Sequence, residues 1–362
     1  MKSMRFNALD GLRGLFALSV LLNHSIQSVS GWKNDGPFSG PHLSVAYFFI
    51  ISGFVLTHAH RADESIIKYF LTRFVRLWPL TFISTMSMVL IYYFYSITGT
   101  GYIPGNFVFE PSVIIKNLTF LHGVASFDFQ LINAPTLSIG IEFWASLFVP
   151  VVVMKIPDYV RFILACIIFV VQMIVSDVGI SNSTLHGMYS FYLAIACMML
   201  GSGAYGVLRR SSNVILHMPH KEIFMWAAFI FVLIGVYAQP YSKNRLDFFF
   251  IAGFIPLIAI DFLDDTSLIK RVFHSEIVQF LGYISFPLYL LHFPVMITGI
   301  AWRGSDSMIL GVLMMCFASI FISYLYAAYV DIPMYKYLKR NINVLLTMNE
   351  YRVQHITFYN RK

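Results

Sequence analysis

Runs of about twenty mostly apolar residues, separated by short polar intervals, recur from one end of the chain to the other. A backbone in lipid finds no water to satisfy its N–H and C=O groups, so such runs are confined to helices that bond internally. Ten runs are countable, near 11–28, 43–59, 77–97, 136–155, 159–177, 189–208, 222–239, 246–263, 279–299 and 308–330. The expectation is an all-α polytopic membrane protein with about ten transmembrane helices. Charged residues make up only 12% of the chain, against roughly 25% in a soluble domain. No internal repeat or low-complexity linker divides it. One membrane domain over 1–334 is therefore expected, followed by a basic cytoplasmic tail at 335–362.

Lys and Arg orient the spans. With the N-terminus in the cytoplasm, twenty of the 25 basic residues fall on the inner side, which predicts two cytoplasmic termini and an even number of crossings. The same bias accounts for the net charge of +7 without nucleic acid as a partner. Lys2, Arg5, an apolar core and Ser28-Val29-Ser30 imitate a cleavable signal. Asp10 and Arg13 crowd that core and Asn23-His24 interrupt its end, so the reading is an uncleaved first span. Cys166, Cys197 and Cys316 lie inside apolar runs with neither disulfide nor metal spacing. His58-x-His60 lacks further ligands, so no metal site is expected.

The polar residues inside the spans carry the functional argument. In LDGLRGLFALSVLLNHS, residues 9–25, Arg13 and His24 are eleven apart, which places them on one helical stripe about 16 Å from each other. Arg13 then sits at the cytoplasmic mouth and His24 near mid-bilayer. Glu142 is expected in the outer half of the fourth span, and His292 near the middle of the ninth. A packing role explains any one of these groups alone. Three titratable side chains at similar depth on three helices instead point to one polar chamber, because such residues are costly in lipid and usually face a cavity or a partner. A His24–Glu142 pair would suit general-base chemistry. Arg73 and Arg76, at i,i+3, share a face at the inner end of the third span beside Trp78. They are either positive-inside anchors or, with Arg13, a set of guanidiniums suited to the phosphates of a nucleotide-like donor.

Six motifs in order resemble the acyltransferase-3 family of integral membrane acyltransferases, which modify bacterial surface polysaccharides and related glycans. They are LDGLRG with His24 eleven residues past Arg13, FFIISGF at 48–54, RFVR at 73–76, NAPTLSIGIEFW with Ser138 and Glu142, LGYISFPLYLLHFPV with His292, and YVDIPMYKYLKR. Three departures stand out: Ser44-Val45-Ala46 where Gly-Val-Asp is frequent, Leu137 for a Trp, and Asp331 for a Glu. The resemblance implies an acyl-CoA co-substrate, acetyl-CoA first among them, and no bound cofactor. Its phosphates would be held by Arg13, Arg73 and Arg76. His24 and Glu142 would do the catalysis, and Asp10, Ser138, Tyr289 and His292 would orient the acceptor or stabilise an oxyanion. The implied acceptor is a hydroxyl of a cell-surface or lipid-linked glycan, and the implied setting the bacterial inner membrane. Transfer could be direct or through an acyl-His24. The connection 98–134, with an amphipathic stretch from Pro111 to Leu121, is the expected acceptor entrance. A secondary transporter is the competing reading, with Gly201-Ser202-Gly203 as a potential helix break.

Overall fold

The computed structural model describes residues 5–30, 36–61, 64–101, 103, 109–124, 130–175, 187–238, 246–301, 308–342 and 344. Among them every regular element is helical. They are α1 (Asn7–Val29), α2 (Pro41–Ala59), α3 (Ile66–Thr98), α4 (Pro111–Leu118), α5 (Thr136–Val151), α6 (Asp158–Val175), α7 (Gly187–Leu216), α8 (Lys221–Ala238), α9 (Asp247–Phe254), α10 (Leu268–Phe273), α11 (Glu276–Ala301) and α12 (Met308–Tyr326).

Seven helical stretches among the described residues are long and apolar enough to cross a membrane: 41–59, 66–98, 136–155, 190–216, 221–238, 276–299 and 308–342. The protein is an integral membrane protein. The expected first, fifth and eighth runs coincide with α1, with α6, and with α9 followed by a 3-10 segment, Ile255–Phe262. That eighth run is not one α-helix, because Pro256 at its midpoint removes a backbone donor and the chain tightens beyond it. The last helix passes through a π-helical turn, Ala327–Asp331, and continues to Ile342 without a break at 334. Residues 343 and 345–362 of the expected tail lie outside the described residues.

Helix α1 is central. It meets α11 backbone to backbone: a Cβ on Gly14 would collide with Leu281 and Gly282, and one on Gly282 would lie 2.5 Å from the Asp10 carbonyl oxygen. Small residues at such contacts are how helices approach closely where lipid removes the hydrophobic drive between them. Helices α2 and α7 do the same, with Gly53 against the Met198 backbone and Gly201 against Ile50. The Gly201-Ser202-Gly203 triplet is therefore a packing notch, and α7 runs through it unbroken.

The connection between α3 and α5 departs from expectation. Its described residues 109–124 lie against α3 and α5. Phe109 lies edge-on to Tyr93 near the outer end of α3, with ring centroids 6.1 Å apart, and the Leu118 carbonyl accepts a 2.9 Å hydrogen bond from Trp78 Nε1. Trp78 precedes Thr98 by twenty residues, about 30 Å along the helix axis. The segment from 109 to 118 thus runs alongside α3, and Trp78 holds its far end. Irregular backbone at membrane depth survives only when its polar groups find partners. Here Asn117 donates to the Val113 and Gln130 carbonyls and accepts from the Ile132 N–H, while Trp144 donates to the Phe120 carbonyl at 3.1 Å. The His122 ring is wedged between the Lys116 and Thr136 carbonyls, over Gly140, where a side chain would crowd it. In consequence α5 begins deep in the protein.

Candidate active site

A cavity of about 300 Å³ opens between α1, α2, α3, α5 and α11, and Arg13, Arg73 and Arg76 all line it. Asp10, Glu142, Ser138 and Tyr289 line it as well. The expected single chamber for His24, Glu142 and His292 is not what forms: Glu142 lines this cavity with the arginines, and neither histidine does. Glu142 does not pair with His24. Its Oε1 accepts from Arg73 Nη2 and from Ser52 Oγ, each at 2.8 Å. Glu142, expected in the outer half of its span, therefore lies level with Arg73, expected at the inner end of its own.

Ser52, from the FFIISGF motif, is a residue the sequence reading missed. Its hydroxyl proton goes to Glu142, and its oxygen accepts from Arg13 Nη2 at 3.4 Å, so it couples the two charges. A hydroxyl in the otherwise apolar middle of a span was the available signal. Arg73 also donates through Nε to Ser146 Oγ at 3.2 Å. Arg76 donates to Asp331 Oδ2 at 2.9 Å and stacks over Phe286 with its guanidinium carbon 4.9 Å from the ring centre. Asp331 closes the π turn, and a π turn is a rare element that rotates one side chain out of helical phase. Asp10 is taken by Arg5, with 3.1 Å between Arg5 Nε and Asp10 Oδ2. A guanidinium carries five N–H donors. Two of Arg73's, one of Arg13's and one of Arg76's are engaged in these side-chain bonds, which leaves donors on each for a polyanion.

The two histidines form a unit of their own, outside the lining of this cavity. His292 is fully buried, and its Nδ1 lies 2.9 Å from the Leu288 carbonyl oxygen. A carbonyl only accepts, so the proton is on Nδ1 and His292 Nε2 keeps its lone pair. His24 Nδ1 lies 2.9 Å from that Nε2, so His24 donates there. The two rings stack with centroids 5.2 Å apart and planes 19° apart. The chain of bonds fixes the tautomer: His24 Nε2 bears the free lone pair, which is the form a base requires. His24 itself remains partly exposed.

Between the arginine cavity and the histidines stands Tyr289. It lines the cavity, and its ring centre is 6.3 Å from that of His292. Its hydroxyl lies 2.7 Å from Ser138 Oγ. Ser138 donates its own proton to the Pro135 carbonyl at 3.1 Å, so Tyr289 is the donor in their bond. Ser138 and Ile139, in the first turn of α5, border the same space, and that helix has no side-chain N-cap. Phe48 meets Tyr289 edge-on at 5.3 Å. Tyrosine, serine, phenylalanine and the α5 N-terminus together form the partition between the cavity and His292.

The family model for an acyltransferase domain, acyltransferase-3, matches residues 6–328. The chain is also 42% identical over 81 residues to "Protein 2 in picA locus" of Rhizobium radiobacter, a match that covers 21% of this chain and 40% of that protein. The chain thus spans well under half the length of that curated relative. No solved structure matches. The family match runs from the N-cap of α1 into the π turn and takes in every residue lining the arginine cavity except Tyr335, so this chain belongs to the acyltransferase-3 family.

Proposed function

We propose that the protein is an O-acyltransferase of the bacterial inner membrane, with ten crossings and both termini in the cytoplasm. It takes an acyl group, acetyl in the simplest case, from acyl-CoA on the cytoplasmic side. It delivers that group to a hydroxyl of a cell-surface or lipid-linked glycan. The observation that carries this reading is the bond chain from Leu288 through His292 to His24, which leaves an unprotonated imidazole nitrogen above a cavity containing three guanidiniums.

The donor enters from the cytoplasm. Its phosphates engage the spare N–H groups of Arg13, Arg73 and Arg76, and the pantetheine arm lies along the cavity toward Tyr289. The arm passes the partition to bring the thioester carbonyl beside His24. His24 Nε2 removes the proton of the acceptor hydroxyl as its oxygen bonds to the carbonyl carbon. The Tyr289 hydroxyl turns its proton from Ser138 to the tetrahedral oxyanion. Collapse breaks the C–S bond, and the imidazolium returns its proton to the departing thiolate. The products are the acyl ester and free coenzyme A. Glu142 holds Arg73 and, through Ser52, Arg13, so its part is to orient the donor site rather than to assist His24.

The test is transfer of label from acetyl-CoA to glycan in proteoliposomes that contain membrane extract from the host. His24→Ala should abolish transfer while coenzyme A still binds. Full transfer by that variant refutes the assignment. Label that accumulates inside the vesicles unattached to glycan would replace the enzyme with a carrier.

A further inference from the structure

Helix α1 carries Arg13 and His24 on one rigid rod, so whatever sets the height of that rod sets the donor site and the base together. Its contact with α11 is close: Val278 lies over Gly11, and Gly14 meets Leu281 and the Gly282 backbone. The helix also lacks a cap of its own, since Phe6 at the N-cap position offers no side-chain acceptor. The first-turn N–H groups of a helix need an acceptor from somewhere.

The acceptor comes from a residue some 250 positions away. Asp261, in the 3-10 segment Ile255–Phe262, receives the Ala8 N–H on both carboxylate oxygens, at 3.1 and 3.0 Å, and the Leu9 N–H at 3.4 Å. Its side chain is 4% exposed. His274, just after α10, sits with Nε2 2.9 Å from Asp261 Oδ1 and holds the carboxylate in that pose. From the opposite direction Gln279, in the first turn of α11, donates to the Asn7 carbonyl at 2.7 Å. A carboxylate at a helix N-terminus also meets the positive end of the helix dipole. One partner grips N–H groups and the other a carbonyl, so the end of α1 is held against both sliding and rotation.

We infer that Asp261, steadied by His274, is a positioning residue for the active site: it fixes the axial register of α1 and through it the joint placement of Arg13 and His24. The inference rests on the roles proposed above for those two residues. A displacement of about 1 Å is enough to cost an enzyme roughly a hundredfold in rate. Asp261 itself touches neither cavity nor substrate.

Coenzyme A affinity and acetyl-CoA turnover, both per folded molecule in lipid nanodiscs, separate positioning from mere capping. In the same assay Arg13→Ala moves affinity and His24→Ala moves turnover. Asp261→Asn is expected to move both at once, by between about tenfold and a hundredfold in kcat/KM. Should that variant fail to fold, His274→Gln, which leaves Asp261 in place but frees its Oδ1, is read in the same way. A lowered melting temperature with affinity and turnover unchanged would overturn the inference. Turnover that survives His24→Ala would instead remove the proposed base and leave the register question standing on affinity alone, where an unchanged value for Asp261→Asn overturns it.

Discussion

His292 should matter to the rate and not to donor binding. Replacing it with Ala removes the acceptor of the His24 Nδ1–H, which His292 Nε2 now provides at 2.9 Å. A buried donor left without a partner costs about 1–3 kcal/mol. At 1.4 kcal/mol per factor of ten, that is roughly a 5- to 150-fold loss in turnover. The loss arises because His24 is released to rotate or to shift its proton to Nε2, where it can no longer act as a base. Donor affinity should stay within about twofold of the original, since His292 is absent from the lining of the arginine cavity. The assay is initial-rate kinetics with acetyl-CoA beside equilibrium binding of coenzyme A. His292→Gln, whose amide oxygen can still accept, should recover part of the rate. A variant with unchanged turnover, or one whose defect lies in donor KM, would refute the tautomer argument.

Glu142→Gln leaves Arg73 without its counter-charge at a site where both side chains are more than 85% buried, so it should destabilise the protein by about 3 kcal/mol. The freed guanidinium should at the same time bind coenzyme A more tightly; thermal melting and titration calorimetry read the two opposed effects. Asn117→Ala removes three hydrogen bonds that close the re-entrant segment, worth about 1 kcal/mol each. Faster amide exchange over 111–124, with exchange in α11 unchanged, is the expected result. Outside the spans, the Lys221 ammonium and then the Thr266 hydroxyl hold the Asp264 carboxyl below its ordinary range. A depressed folded value stabilises above the unfolded one, near 4, and that contribution disappears as pH falls through the folded value. The gap in melting temperature between the native protein and Asp264→Asn should therefore be constant from about pH 5 to 8 and shrink below about pH 4.

What the sequence disclosed and what it concealed divide along a physical line. Along-chain spacing is enough to fix one-dimensional quantities: which segments are apolar enough for lipid, and that Arg13 and His24 share a stripe three turns apart on α1. Both follow from the helix repeat alone. The depth of Glu142 was misjudged because depth was counted from the apparent start of its span. That count assumed that the preceding connection stayed in water, whereas Asn117, Trp78, Trp144 and His122 satisfy its backbone inside the protein. The partner of Trp78 stayed hidden for the same reason, since the sequence gives no sign that its N–H meets the Leu118 carbonyl. Pairings between helices stayed hidden too. Nothing in the spacing of Asp261, His292 or Asp331 names Ala8, His24 or Arg76 as partners, because azimuth and register between helices are set by packing.

That division bears on the chemistry. All three arginines are held by partners on other helices, Glu142 and Ser52 for two of them and Asp331 for the third, and none reaches a histidine. His24, on α1, is in turn held by His292, and His292 by the Leu288 carbonyl of its own helix α11. Among the described residues the proposed donor site and the proposed base meet at Tyr289, which lines the cavity beside His292, and along the shaft of α1. In the proposed reaction the thioester would be presented past Tyr289 while the bulk of coenzyme A stays in the arginine cavity. The shaft ensures that the guanidinium and the imidazole keep their spacing of about 16 Å while this happens. An enzyme that handles a water-soluble donor on one face of a bilayer and an acceptor on the other needs that arrangement, because merging the two chambers would open an aqueous path through the lipid barrier.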